Sequence, residues 1–215
     1  MYSVCIFDLD GTLLDTLDDL TAAVNYAVTL HGYPIRSREE VRAFIGNGIK
    51  KLIERALGEG VSEETNLSVL ATFKAYYAAH LADFTKPYDG VLELLERLQA
   101  KGKICLIHSN KADSLLQPLV KKFFGGKIQG AIGEKEEEGI AKKPSPDGVF
   151  ALLLQSGANK ENAVYIGDSE VDIQTAKNAR IDCVSVAWGF KDREFLLKKG
   201  ATTVVGSVEE LEKLL

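Results

Sequence analysis

Val4-Cys5-Ile6-Phe7-Asp8-Leu9-Asp10-Gly11-Thr12-Leu13 sets an apolar run of strand length directly before two acids, a glycine and a hydroxyl. A short apolar run bounded by a turn signal reads as a buried strand, so Asp8 and Asp10 stand where that strand surfaces. Side chains two apart on a strand share a face, and the spacing predicts that both carboxylates converge on one small volume at the strand's carboxyl end. Two anions so close stay ionised only where a cation neutralises them or a proton is shared, and for oxygen ligands Mg2+ is the natural candidate. Gly11 lets the backbone turn sharply, and Thr12 offers a capping hydroxyl. An isolated Asp-x-Asp reads as a turn cap after a strand. That reading leaves unexplained three further polar segments downstream, each at a predicted strand end or loop.

The bulk numbers are those of an ordinary globular chain. Its 215 residues, 46% hydrophobic and 27% charged, suit one large domain or a core with an insert, and argue against disorder. With 31 acidic against 26 basic residues the net charge is −5, so no broad cationic surface, and no nucleic-acid partner, is expected. No apolar run approaches bilayer length, and the start lacks the basic region and apolar stretch of a signal peptide; a cytoplasmic protein with no membrane partner is expected. Cys5, Cys105 and Cys183 are odd in number, widely spaced and each set in a strand-like run, which reads as buried reduced thiols.

Outward from the first strand, short apolar runs alternate with helical patterns: Ile104 to Ile107, Ile128 to Ile132, Ala163 to Ile166, Cys183 to Val186 and Thr203 to Val205 read as strands. Val91, Leu94, Leu95 and Leu98, like Val149, Leu152 and Leu153, repeat at helical spacing between them. Strands alternating with helices predict crossover units feeding a mostly parallel sheet, an α/β architecture. Residues 16–83 break this rhythm, being helical without a convincing strand, and read as an all-helical insert in a core made of residues 1–15 and 84–215. Leu17, Leu20, Val24, Ala27 and Val28 form an amphipathic helix that stops at His31-Gly32-Tyr33-Pro34, Ser37 with Glu40 resembles a capping box, and a later helix runs from about Glu63 to Leu81.

The other polar segments each admit two readings. Ser109-Asn110, after the second core strand, either grips phosphoryl oxygens at the carboxyl edge of the sheet or caps the next helix, while His108 reads as structural. In Lys142-Lys143-Pro144 the proline could aim one lysine inward against a phosphoryl group, or both lysines lie solvated in a loop. Asp168 and Asp172, in Gly167-Asp168-Ser169-Glu170-Val171-Asp172, either complete a metal site or serve the dipole of a following helix.

Together the four segments closely resemble the haloacid dehalogenase superfamily, in its phosphoglycolate phosphatase-like branch with a helical cap, over essentially the whole chain. Asp8 to Leu13 is similar to its first motif, Ser109-Asn110 to its second, Lys143-Pro144 to its third and Gly167 to Asp172 to its fourth. The resemblance implies a Rossmann-like core with the helical cap inserted after the first strand. It also implies a Mg2+-dependent phosphatase acting on a small phosphorylated metabolite, 2-phosphoglycolate first among them. Asp8 would be the nucleophile forming an aspartyl-phosphate, Asp10 the acid and base, and Lys143 and Ser109 the grip on the transferring group. Asp8, the Asp10 backbone carbonyl and Asp168 would hold the metal, with Ser169 and Asp172 orienting it. Leu9, Gly11, Thr12 and Asn110 join the phosphate-binding set, and Gly46, Asn47 and Gly48 resemble a cap loop that contacts substrate, although a plain link between two helices fits that stretch as well. A monomer or homodimer is expected. A β-phosphoglucomutase-like mutase or an inorganic pyrophosphatase would share the same core residues, and a non-catalytic phosphate-binding module is the reading from another class. Arg180 departs from the family pattern, which places glycine there to end a helix in a left-handed turn.

Overall fold

Val4–Phe7 forms strand β1, every residue of it buried. The computed structural model describes residues 2–215. Leu14–Asp15 (β2) and Lys86–Pro87 (β3) make a separate two-stranded sheet. Ile104–Ala112 (β4), Gly130–Glu134 (β5), Ala163–Gly167 (β6), Asp182–Val186 (β7) and Val204–Val205 (β8) join β1 in a six-stranded sheet of order β5-β4-β1-β6-β7-β8. Every neighbouring pair in it is parallel.

From β1 the chain builds first to one side, through β4 and β5, and then to the other, through β6, β7 and β8. The order therefore reverses beside β1, and a crevice opens at the carboxyl ends of β1, β4 and β6. Buried strands of this kind carry apolar residues on both faces, as Cys5, Ile6 and Phe7 do at 0% exposure, and each buried large side chain contributes about 1.5–3 kcal/mol.

Six helices accompany the sheet: α5 (Val91–Ala100), α6 (Asp113–Phe124), α7 (Asp147–Ser156), α8 (Glu170–Ala179), α9 (Arg193–Lys198) and α10 (Val208–Leu214), numbered after four helices of the insert. The predicted stripes are the buried faces, Val91, Leu94, Leu95 and Leu98 on α5 and Val149, Leu152 and Leu153 on α7. Helix α8 ends on Arg180 at φ 56°, ψ 50°, the one non-glycine residue with positive φ among the described residues.

Two compact units emerge, and the second runs Thr16–Lys86. It holds α1 (Leu17–Leu30), α2 (Arg38–Phe44), α3 (Ile49–Leu57) and α4 (Glu63–Ala79). The unit extends beyond residue 83 for a physical reason: buried Asp19 of α1 accepts hydrogen bonds from the Phe84 and Thr85 amides and, at 2.6 Å, from the Thr85 hydroxyl. Helix α2 starts in the capping box of Ser37 and Glu40.

Two local expectations are corrected. Strand β4 runs on to Ala112, well past Ile107, so Ser109 and Asn110 are strand residues and not a helix cap; α6 is preceded by Ala112 with no side-chain cap. Strand β1 ends at Phe7, so Asp8 and Asp10 lie beyond the pleat and the two-residue alternation does not govern them.

Candidate active site

Asp8 leaves β1 with its amide donating to the Ile166 carbonyl of β6 at 2.8 Å, which fixes it at the switch point. Its Oδ1 accepts from the next amide, Leu9 N, at 2.7 Å. The chain then folds tightly back, with the Leu13 and Leu14 amides donating to the Leu9 carbonyl. Gly11 carries the turn at φ 86°, and only glycine fits there, because a Cβ would lie 2.4 Å from Asp168 Oδ2. The same turn brings Thr12 Oγ1 to Asp168 Oδ1 at 3.3 Å. The Phe190 amide donates to Asp168 Oδ2 at 2.7 Å, so Asp168 is held from two directions at 1% exposure.

Asp172 lies one turn beyond. A Cβ on Gly167 would fall 2.3 Å from its Cγ, so that glycine is what admits the carboxylate. Ser169 and Asp172 form a reciprocal capping box at the start of α8, with Ser169 Oγ donating to Asp172 Oδ2 at 2.6 Å. Asp172 thus serves the helix start, as its alternative reading held, and its other oxygen serves the site.

That other oxygen, Oδ1, accepts from Lys143 Nζ at 2.7 Å, while the same ammonium lies 2.8 Å from Asp8 Oδ1. The Lys143–Pro144 peptide is cis. Lys142 turns to an exposed pairing with Glu136, so of the two lysines one is solvated and the other is buried between carboxylates. Asn110 fixes Lys143 by its backbone, accepting from the amide at 2.7 Å and donating to the carbonyl at 3.2 Å. The Asn110 amide is therefore engaged with the Lys143 backbone through both its oxygen and its nitrogen, and it holds the lysine loop.

Burial pushes the Asp8 carboxyl up to about 7, against the pull of Lys143. Burial, with Asp172 and Asp8 nearby, holds Asp168 well above the usual carboxylate range. For Lys143, burial opposes the charge, yet the Asp172 and Asp8 carboxylates raise it well above its ordinary value. One ammonium thus faces three carboxylates, Asp8, Asp168 and Asp172, each offering an oxygen within 4.8 Å of the others. A buried all-oxygen donor set with surplus negative charge fits a small hard divalent cation such as Mg2+.

The Asp10 carboxylate is not in this cluster. Its Oδ1 lies 3.2 Å from Lys111 Nζ, so the two carboxylates of the first motif pair with separate lysines. Lys111 is the residue that sequence reasoning missed; its only signal is its place after Ser109-Asn110. Ser109 is buried, with Oγ accepting from the Lys111 amide at 3.2 Å. His108 is structural: burial first, and then Lys143, pulls its imidazole down to about 3, and Tyr165 donates its hydroxyl to the His108 carbonyl at 3.1 Å. Gly46, Asn47 and Gly48 lie in the second unit, between α2 and α3. There Arg55 donates to the Phe44 carbonyl and to Asn47 Oδ1, both at 2.6 Å, so the loop has its own brace.

The sequence profile of a family described as haloacid dehalogenase-like hydrolase matches residues 5–186. Phosphoglycolate phosphatase 1 of Pseudomonas aeruginosa is 32% identical over 212 residues, spanning 96% of this chain and 77% of the relative. The phosphoglycolate phosphatase of Pseudomonas savastanoi pv. phaseolicola is 33% identical over 214 residues with the same coverage. Among solved structures, a protein of Lactobacillus delbrueckii subsp. bulgaricus, provisionally assigned as a phosphoglycolate phosphatase, is 37% identical at a TM-score of 0.94, covering 99% of this chain and 98% of that one.

Proposed function

The chain belongs to the haloacid dehalogenase-like hydrolases, and from that premise we propose that it is a Mg2+-dependent phosphatase of a small phosphorylated metabolite, with 2-phosphoglycolate the leading candidate. The observation that supports this most is the buried Lys143 ammonium shared between Asp8 and Asp172, beside Asp168. Such a set suits attack by a carboxylate on phosphorus with the charge of the transferring group opposed by a fixed cation.

Asp8 Oδ1 is taken up by Leu9 N and Lys143 Nζ, which leaves Oδ2 as the attacking oxygen. Its bond to phosphorus forms as the ester P–O bond breaks, giving an aspartyl-phosphate and releasing the alcohol. Asp10 gives a proton to the departing oxygen and then takes one from the water that hydrolyses the intermediate. Lys143 holds a phosphoryl oxygen, and Ser109, whose Oγ already accepts from Lys111 N, has its hydroxyl proton to donate to another. Mg2+, held by Asp8, Asp168 and the Asp10 carbonyl, would offset the repulsion between the carboxylate and the dianionic phosphate.

Phosphate release from 4-nitrophenyl phosphate and 2-phosphoglycolate, with Mg2+ and with EDTA, tests the reading. Release that requires Mg2+ and disappears in Asp8→Asn is expected. No release under any condition would refute it, and isomerised sugar phosphate with little free phosphate would point to a mutase instead.

A further inference from the structure

Lys111 has no part in the mechanism above. Strand β4 pairs with β5 in register through His108, loses register, and resumes it at Ala112, so Ser109, Asn110 and Lys111 bulge from the ladder at the strand's carboxyl end. The bulge is fixed on both sides. The Lys111 amide donates to Ser109 Oγ, and the Lys111 carbonyl passes so near Gly133 that a Cβ there would lie 2.5 Å from it. The side chain runs inward at 5% exposure, and Nζ reaches to 3.2 Å from Asp10 Oδ1. That oxygen is buried and makes no hydrogen bond, so the contact is one of charge rather than of a directed bond.

Burying an ammonium costs several kcal/mol before any pairing is counted, and a lysine here is hard to explain as packing alone. We propose that Lys111 is a positioning residue for proton transfer to the leaving group, holding the Asp10 side chain where it meets the leaving oxygen. The inference rests on the reading of Asp10 as the acid. As the Asp8–phosphorus bond forms and the ester P–O bond breaks, the electron pair of that bond goes to the leaving oxygen and the Asp10 proton follows it. Because the hold on Asp10 matters where the proton meets the leaving oxygen, it counts in turnover rather than in substrate binding. A leaving group that departs readily as an anion needs little of this help, whereas a poor one needs all of it.

The test is a series of substituted phenyl phosphates, from 4-nitrophenyl to unsubstituted phenyl phosphate, assayed with Mg2+ for the wild-type protein and for Lys111→Met, Lys111→Gln and Lys111→Arg. For Lys111→Met the loss in kcat should deepen along the series, from roughly 3-fold with 4-nitrophenyl phosphate to roughly 30- to 100-fold with phenyl phosphate, with KM changing little. Lys111→Arg, which keeps the charge, should recover most of the difference. Equal losses across the series, or none, would overturn the inference while leaving the phosphatase reading intact. No wild-type release from any member would instead overturn the phosphatase reading, and the inference with it. Should Lys111→Met not fold, Lys111→Gln carries the same comparison, and failure of both to fold would make the residue structural and refute the proposal.

Discussion

Asp8→Asn should make the metal-free protein more stable at pH 8 while removing its activity. Asp8 ionises near 7 in the folded chain against an ordinary value of 3.8, because burial disfavours its charge. A carboxyl whose folded pKa lies above its unfolded one stabilises the fold fully below the unfolded value, and that contribution is lost as pH rises through the folded one. The window is therefore about pH 4 to 7, and at pH 8 the wild-type protein bears the whole cost of an ionised buried acid. At roughly 1.4 kcal/mol per tenfold change in proton affinity, the interval corresponds to an upper figure of about 4 kcal/mol. Asparagine removes this charge and keeps an oxygen for Leu9 N and Lys143 Nζ. The value near 7 already contains the opposing pull of Lys143, so that pull is not subtracted again. A gain of about 2–4 kcal/mol at pH 8 is expected, shrinking to nothing near pH 4. Urea unfolding followed by the single tryptophan, Trp188, in EDTA across pH 4–8 measures it directly. A variant no more stable than wild type at pH 8, or a gap that does not change with pH, would refute the reasoning.

Three further outcomes are expected. Lys143→Met should abolish phosphate release and lower the metal-free stability by about 3–5 kcal/mol, since it leaves Asp8, Asp168 and Asp172 together without their ammonium; saturating Mg2+ should return part of that stability in thermal melts. Gly189→Ala would place a Cβ 2.1 Å from the Gly11 carbonyl and 2.5 Å from Asp168 Oδ2, so a loss of about 1–3 kcal/mol in denaturant titration should accompany impaired turnover. Arg180→Gly relieves a left-handed residue at the end of α8, and chemical denaturation should show a gain of about 0.5–1 kcal/mol with kcat unaltered.

Much of the fold was legible because its signals are local. An apolar run such as Val4–Phe7, or a stripe such as Val91, Leu94, Leu95 and Leu98, carries its own period, and the structure makes β1 and α5 from those residues. Strand ends were less legible. Strand β4 passes through Ser109-Asn110, for which a helix cap was one of two local readings, because pairing with β5 beyond the bulge outweighs local preference. The hold of Asn110 on Lys143 was hidden for a related reason, since it reaches the backbone of a residue 33 positions away.

From the order of residues alone follow the element types, the alternation that makes a parallel sheet, and the identity of the acids and lysines that end its strands, because each depends on neighbours in the chain. Which charges meet was decided only in three dimensions. Crossing connections bring the ends of β1, β4 and β6 side by side, and absent side chains at Gly11, Gly167 and Gly189 let carboxylates approach where any Cβ would collide. Asp10 consequently faces Lys111, and Asp172 rather than Asp10 joins Asp8 and Asp168. Spacing along one strand cannot express that outcome, since it arises from contacts among strands far apart in sequence.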